Sequence, residues 1–249
     1  MARFAAERGH AVAQYNLGLM YQVGGGVDQD DTQAVAWYRK AADQGYAPAQ
    51  NNLGLMYQHG RGVAQDDAQA VVWIRKAADQ GDDGAQNNLG TMYENGWGVA
   101  QDYAQAIDWY RKAADQGSAS AQTNLGAVYA RGRGVAQDDT QAVAWFSKAA
   151  EQGYPPAQFN LGRAYAKGLG VAHDDAKAAA WYRRAAEQGL ANAQNNLGTM
   201  YADGQGVTRN QAEAIRWFRR AAEQGHVGAL QNLQGMKTDD PGNSKERAK

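Results

Sequence analysis

Between Ala49 and Gly81 the apolar positions follow a helical period twice over. Leu53, Met56 and Tyr57 fall near one stripe, and Ala70, Trp73 and Ala77 recur at i, i+3 and i+7, the spacing that lines one face of an α-helix. Glycines interrupt the two stripes, Gly60 and Gly62 after the first and Gly81 after the second. Glycine there supplies a left-handed cap and a loop that a β-branched residue would resist. The stretch reads as two helices, the first over Ala49 to His59 and the second entered through Asp66-Asp67-Ala68-Gln69. An aspartate oxygen at that entry accepts a free backbone N–H, and the later glutamine can reach back to complete a capping box.

The same two-helix pattern recurs along the chain. Trp37, Trp73, Trp109, Trp145, Trp181 and Trp217 are spaced 36 residues apart without slippage. A period of this length signals stacked repeats. We divide the chain into a partial half-repeat at 1–9 and six repeats at 10–45, 46–81, 82–117, 118–153, 154–189 and 190–225. A degenerate capping helix over 226–237 and a polar tail over 238–249 follow. The predicted fold is an all-α solenoid of antiparallel helix pairs. Its stability is expected to be roughly additive over neighbouring interfaces.

One glycine sits in mid-helix in every repeat: Gly18, Gly54, Gly90, Gly126, Gly162 and Gly198. Such a residue costs about 0.8–1.0 kcal/mol relative to alanine. Its recurrence predicts close helix approach, aided by paired alanines such as Ala77-Ala78, with large Trp and Tyr side chains filling the remaining space. Val63 and its equivalents are expected to plug the gap between the two helices.

Hydrophobic residues make up 44% of the 249, enough for a packed core. The formal net charge of −1 provides no bulk field for nucleic acid. No apolar run is long enough for a membrane span. The first residues, MARFAAERGH, lack the apolar stretch of a secretory signal. There are no cysteines, so disulfides and thiolate metal sites are excluded and the compartment stays open. This leaves the cytoplasm or, if a signal segment lies outside this chain, an extracytoplasmic space.

Ala49, Leu53, Gly54, Tyr57, Gly60, Gly62, Val63, Asp66, Ala70, Trp73, Ala77, Ala78 and Gly81 together resemble the Sel1-like repeat, a relative of the tetratricopeptide repeat. The resemblance covers His10 to Gly225. It implies a right-handed superhelix, first helices on the concave side and second helices on the convex side, and a protein- or peptide-binding scaffold, commonly bacterial. Many secreted members carry a cysteine pair in each repeat, whereas here packing must suffice. Some cysteine-rich members are associated with β-lactam binding, but no serine–lysine nucleophile motif supports that chemistry in this chain.

Two polar phases are fixed. One is the asparagine before each Leu-Gly: Asn16, Asn52, Asn88, Asn124, Asn160 and Asn196, with Asn232 in the degenerate half. In the resembling tetratricopeptide domains this residue clamps a peptide backbone in the groove, and an amide offers donor and acceptor together. The alternative is that it joins neighbouring repeats. The other phase is a glutamine two places earlier, Gln14 to Gln194, read as structural. Variable first-helix positions would then set specificity: Tyr15, Asn51 and Phe159 beside the asparagine, and Leu55 and Arg163 one turn later. Arg131 and Lys167 stand near the helix ends. Arg131, Arg133, Arg163 and Lys167 suggest an acidic ligand segment, against the alternative of a solvated basic surface. Trp97, the one tryptophan out of phase, is a candidate hot spot unless it lies flat over a neighbouring loop.

No chemistry of turnover is legible. His10, His59, His173 and His226 show no i, i+4 pairing and are read as surface residues. The Asp-Asp pairs are explained by capping, and Gly-x-Gly-Val follows a helix and lacks Gly-Lys-Ser/Thr. No catalytic residue, cofactor or metal is expected. The sequence points to a non-enzymatic scaffold with a protein or peptide partner. A structural or designed array without a ligand is the alternative, and a lactam-binding or hydrolytic enzyme comes last.

Overall fold

A helix entered through an aspartate and left through a glycine is a short, well-delimited object, and this chain is built from such pieces. The computed structural model describes residues 2–238, and every regular element among them is an α-helix. In chain order these are α1 (Ala2–Glu7), α2 (Ala11–Val23), α3 (Asp31–Asp43), α4 (Ala47–His59), α5 (Asp67–Asp79), α6 (Asp83–Asn95) and α7 (Tyr103–Asp115). They continue with α8 (Ala119–Arg131), α9 (Asp139–Glu151), α10 (Pro155–Lys167), α11 (Asp175–Glu187), α12 (Ala191–Asp203), α13 (Gln211–Glu223) and α14 (Val227–Thr238). The first helix of the second repeat starts at Ala47, two residues before the sequence-based expectation, because Pro48 fits its opening turn. Past Thr238, the expected polar tail lies outside the described residues.

Two compact units divide the chain, one through Ala121 and one from Gln122. Each is a run of α-solenoid held by packing between successive helices. In the first unit α2 packs on α3, α4 on α5 and α6 on α7 within a repeat, while α3 meets α4 and α5 meets α6 between repeats. In the second, α10 with α11 and α12 with α13 are the pairs within a repeat, and α9 with α10 and α11 with α12 join one repeat to the next.

The aspartate caps form as the sequence implies. Asp30 accepts from the Thr32 and Gln33 N–H groups, and Asp66, Asp102, Asp138 and Asp174 accept from the residue three places on. The reciprocal glutamine bond does not form at Gln33, Gln69, Gln105 or Gln141. The N–H it would have reached is already used: Asp30, Asp66, Asp102 and Asp138 donate to the carbonyls of Tyr21, Tyr57, Tyr93 and Tyr129 at 2.9–3.0 Å. The second helix is thereby tied to the end of the first. Between them, Gly62 at φ +65° has no room for a side chain, since a Cβ there would lie 2.1 Å from the Asp31 carbonyl oxygen.

The mid-helix glycines mark where the two helices of a repeat touch. In the first unit a Cβ on Gly18, Gly54 or Gly90 would fall 2.6, 2.5 and 2.7 Å from the side chains of Tyr38, Ile74 and Tyr110. In the second, Gly126, Gly162 and Gly198 face the rings of Phe146, Tyr182 and Phe218 at 2.7–2.8 Å. All six of these partners are buried. They are the residues immediately after the periodic tryptophans, and this revises the expectation that tryptophan fills the core. Trp37, Trp73, Trp145 and Trp181 are only half-buried, while Trp109 and Trp217 are buried. One step along a helix turns the side chain by about 100°, so the neighbour faces the glycine and the indole faces outward. Its exposed face carries a cation one turn later: Lys40, Lys76, Lys112 and Lys148 sit 3.8–4.1 Å above Trp37, Trp73, Trp109 and Trp145. Val63, Val99 and Val207 pack against the cores as half-buried plugs.

Replacing Gly90 by alanine tests this contact. In an unobstructed helix the change stabilises by about 1 kcal/mol, whereas overpacking against Tyr110 costs about 1–3 kcal/mol. Urea denaturation is expected to show a net loss for Gly90→Ala. A stabilised variant would mean that the ring yields without cost.

Candidate functional site

The fixed glutamines are buried at the joints between repeats. Gln50 donates from its amide to the Ala42 carbonyl at 3.1 Å, and its oxygen accepts from Gln80 at 2.7 Å. Gln86 repeats the pattern with Ala78 and Gln116 at 3.2 and 2.8 Å, and Gln194 with Ala186 and Gln224 at 3.1 and 2.8 Å. Each amide thus satisfies an end carbonyl of the preceding second helix and receives a glutamine from the following one. The structural reading of this phase holds.

The fixed asparagines follow two residues later on the first helices, about half a turn round. Asn88 donates to the Asn51 oxygen at 2.9 Å, and Asn232 to that of Asn195 at 3.1 Å, each bond running to the preceding first helix. Where the earlier repeat carries an aromatic residue instead, the partner is a phenol. Asn52 stands beside Tyr15 and Tyr38, and Asn196 beside Tyr182, and in each case burial raises the phenol while the asparagine lowers it by less. Asn16 and Asn160 make no hydrogen bond among the described residues, and Asn16 is exposed, Asn160 half-buried. Asn124 is half-buried on α8 and is not free of partners.

The variable positions are less free than their phase suggested. The Tyr15 ring lies 5.8 Å from that of Tyr38 and 5.3 Å from that of Tyr46. Phe159 stands 5.7 Å from Tyr182, and Leu55 packs on the core of the following repeat. Each presents only part of its surface to solvent. Arg131, Arg163 and Lys167 are exposed on α8 and α10, and Arg133 in the loop after α8 is half-buried. Trp97 keeps 42% of its surface exposed. Its loop rests on the start of α5, where a Cβ on Gly98 would lie 2.1 Å from the Asp67 carbonyl oxygen.

Several joints were not foreseen from the sequence. Arg75 donates to the Tyr93 phenol at 2.5 Å and Arg183 to that of Tyr201 at 2.8 Å, with Arg39 and Tyr57 paired in the same way. The available signal was an arginine two places after the tryptophan with a tyrosine 18 residues later. Arg61 forks onto both carboxylate oxygens of Asp31 at 2.8 and 3.0 Å. His226, read as an ordinary surface residue, accepts from the Ala229 N–H at 3.1 Å and so opens α14.

Burial pushes the Tyr38 phenol up to about 12, against a smaller lowering by the Asn52 hydrogen bond. Its O–H donates to the Gln22 oxygen at 2.5 Å. Among the described residues no group of three or more His, Cys, Asp or Glu side chains is placed to hold a metal ion. No described helix is long and apolar enough to cross a membrane. The arrangement offers amides, phenols and cations on a helical face, which suits recognition.

Six successive segments, 11–46, 47–82, 84–118, 119–154, 155–190 and 191–226, match the model of the Sel1 repeat. The chain belongs to the Sel1 repeat family. No curated protein matches it. Among solved structures, a Sel1 repeat protein from Oxalobacter formigenes is 42% identical with a TM-score of 0.83, over 87% of this chain and 89% of that one. A protective antigen of uropathogenic Escherichia coli with the same repeat fold is 40% identical with a TM-score of 0.79. The match covers 97% of this chain and 52% of the antigen, so the chain spans about half the antigen's length. An immunity protein of Pseudomonas aeruginosa, 24% identical with a TM-score of 0.61 over 93% of this chain and 88% of that one, shares the fold. Sel1 repeats are protein-interaction modules, and the amide and arginine joints above are how these particular repeats hold together.

Two measurements check the joints. Gln86→Ala removes the bonds to the Ala78 carbonyl and from the Gln116 amide, while Ala78 keeps the Gly81 N–H and Gln116 the Gly81 carbonyl. At about 0.5–1.5 kcal/mol per bond, a loss of about 1–3 kcal/mol is expected on urea denaturation, and an unchanged midpoint would remove Gln86 from the account. Tyr38 has a folded-state value above its ordinary value of 10.0. The stability gained by keeping it neutral is therefore complete below pH 10 and is lost as pH rises through about 12. Melting temperature against pH should fall less steeply in Tyr38→Phe than in the parent over that window, and parallel curves would refute the assignment.

Proposed function

We propose that this protein is a non-enzymatic scaffold whose first-helix face holds an extended peptide or partner segment. The observation that carries the reading is a division of labour along the helices. Packing positions are nearly the same in every repeat, while Tyr15, Asn51, Leu55, Phe159 and Arg163 differ at equivalent or neighbouring phases and remain open to solvent on one side. Residues needed only for stacking have no reason to vary in this way. The asparagines suit a peptide backbone because one amide meets both a C=O and an N–H. Arg131, Arg163 and Lys167 would favour an acidic side chain at the matching place on the partner, and Trp97 would add a partly exposed aromatic anchor on its own loop.

A second reading, a stacking array with no dedicated ligand, is favoured by the bonds of Asn88 to Asn51 and of Asn232 to Asn195, which join repeats without a partner. The two separate on residues that stacking does not use. A protein captured from lysate on the immobilised chain, and identified by mass spectrometry, is expected to be lost with Asn16→Ala/Asn160→Ala, while the melting temperature stays within about 2 °C of the parent. Asn88→Ala is expected to lower the melting temperature. Arg163→Glu/Lys167→Glu should weaken capture about tenfold or more, as loss of charge-assisted bonds worth about 1.5–3 kcal/mol implies. Capture indifferent to all these changes would leave the stacking reading in place.

A further inference from the structure

At three of the joints between neighbouring repeats the same place is filled in three different ways. Between α3 and α4 it is closed from two sides. Gln22 accepts from the Tyr38 hydroxyl at 2.5 Å, and the Arg61 guanidinium lies on Asp31 with bonds of 2.8 and 3.0 Å. Between the repeats of α9 and α10, Arg163 and Leu169 close in around Asp139, and the remaining cavity is about 20 Å³. Four periods after the first place, the carboxylate and the phenol persist as Asp175 and Tyr182, but Gln22 is replaced by Ala166 and Arg61 by Gln205. There a cavity of about 250 Å³ stands open, lined by these four residues together with Thr199 and Asn196.

We propose that this cavity is a receptor for a guanidinium group, an arginine side chain presented by a partner chain. The inference deepens the scaffold reading, on which it rests for the source of the arginine. The molecule supplies its own template. At the equivalent position a guanidinium is the occupant, and its anchor is the aspartate that Asp175 repeats. A planar fork with five N–H donors meets a carboxylate through two parallel bonds, which an ammonium cannot do. The Tyr182 and Thr199 hydroxyl oxygens provide acceptors for the remaining N–H groups. The volume is below the roughly 300–1,000 Å³ of a small-molecule pocket and suits one side chain.

An imidazole and a guanidinium border the site. His173 lies 3.1 Å from Asp175 by its Nε2, a contact open to solvent on both sides, with 58% and 34% of the side chains exposed. Such contacts hold weakly and yield to a forked partner. Arg163 acts on Tyr182 from α10, lowering a phenol that burial otherwise raises. Its equivalent in the first repeat is Leu19. His173 competes for the Asp175 carboxylate and Arg163 opposes a second cation, so replacing either predicts a gain.

The test titrates the folded protein with N-acetyl-arginine amide, and in parallel with the citrulline and lysine analogues, following backbone amide shifts by NMR. The arginine probe is expected to move the signals of Asp175, Thr199 and Gln205 saturably, the lysine analogue more weakly and the citrulline analogue not at all. Asp175→Asn should weaken the arginine probe about tenfold or more. Gln205→Arg, which restores the internal occupant, should abolish probe binding and raise the melting temperature. Arg163→Leu and His173→Gln should each tighten it. Equal binding of arginine and citrulline probes, or unchanged affinity in Gln205→Arg with its fold verified by circular dichroism, would overturn the proposal. Probe binding without any captured partner supports the cavity and counts against the scaffold reading. A captured partner without probe binding does the reverse.

Discussion

A ring seated where a Cβ would otherwise stand sets the distance between the two helices of each repeat, and the remaining contacts follow from that distance. The helix gives up about 1 kcal/mol of intrinsic preference by carrying glycine there. In exchange Tyr38, Tyr110, Phe146, Tyr182 and Phe218 press flat against backbone, with Ile74 in the same role, and all are buried. A large aromatic side chain removes about 150–250 Å² from water, which outweighs the helical cost several times. With the pair drawn this close, the alanines Ala77 and Ala78 and most of their equivalents also come to rest in the core. The aspartate entering the second helix is then near enough for its N–H to bond the tyrosine carbonyl of the first.

Outside this contact the tryptophans hold a different post. Their regular spacing made them the most visible mark in the sequence, yet most of them cover the surface and carry a lysine or arginine on the outer face. Stacking a cation on an indole contributes about 0.5–1 kcal/mol at an exposed site. Along the whole chain such pairs form a recurring sheath over the cores.

Period, helix ends at the glycines, aspartate caps and the purpose of the mid-helix glycines were legible in the sequence, because each is a local property fixed by residues close in the chain, whereas the start of the first helix was read two residues late. The identity of the glycine's partner was not, since Trp73 and Ile74 differ by one position and only the rotation between helices decides which faces inward. Similarly, the sequence marked Asn88 as fixed and Asn51 as variable. Their mutual bond appears only once the register between neighbouring repeats is known. The same register brings Arg75 to Tyr93 and Arg61 to Asp31. Contacts between repeats are thus the part that single-sequence reading leaves open, and the candidate binding face lies among them.

The buried glutamines have an evolutionary corollary. Each presents the same donor and the same acceptor, so the glutamine bonds of a seam can form whichever repeat follows. Duplication or deletion of a whole 36-residue module by unequal exchange would leave the glutamine bonds of the remaining seams available. Such a lineage can lengthen or shorten its array first and diversify the outward-facing positions afterwards.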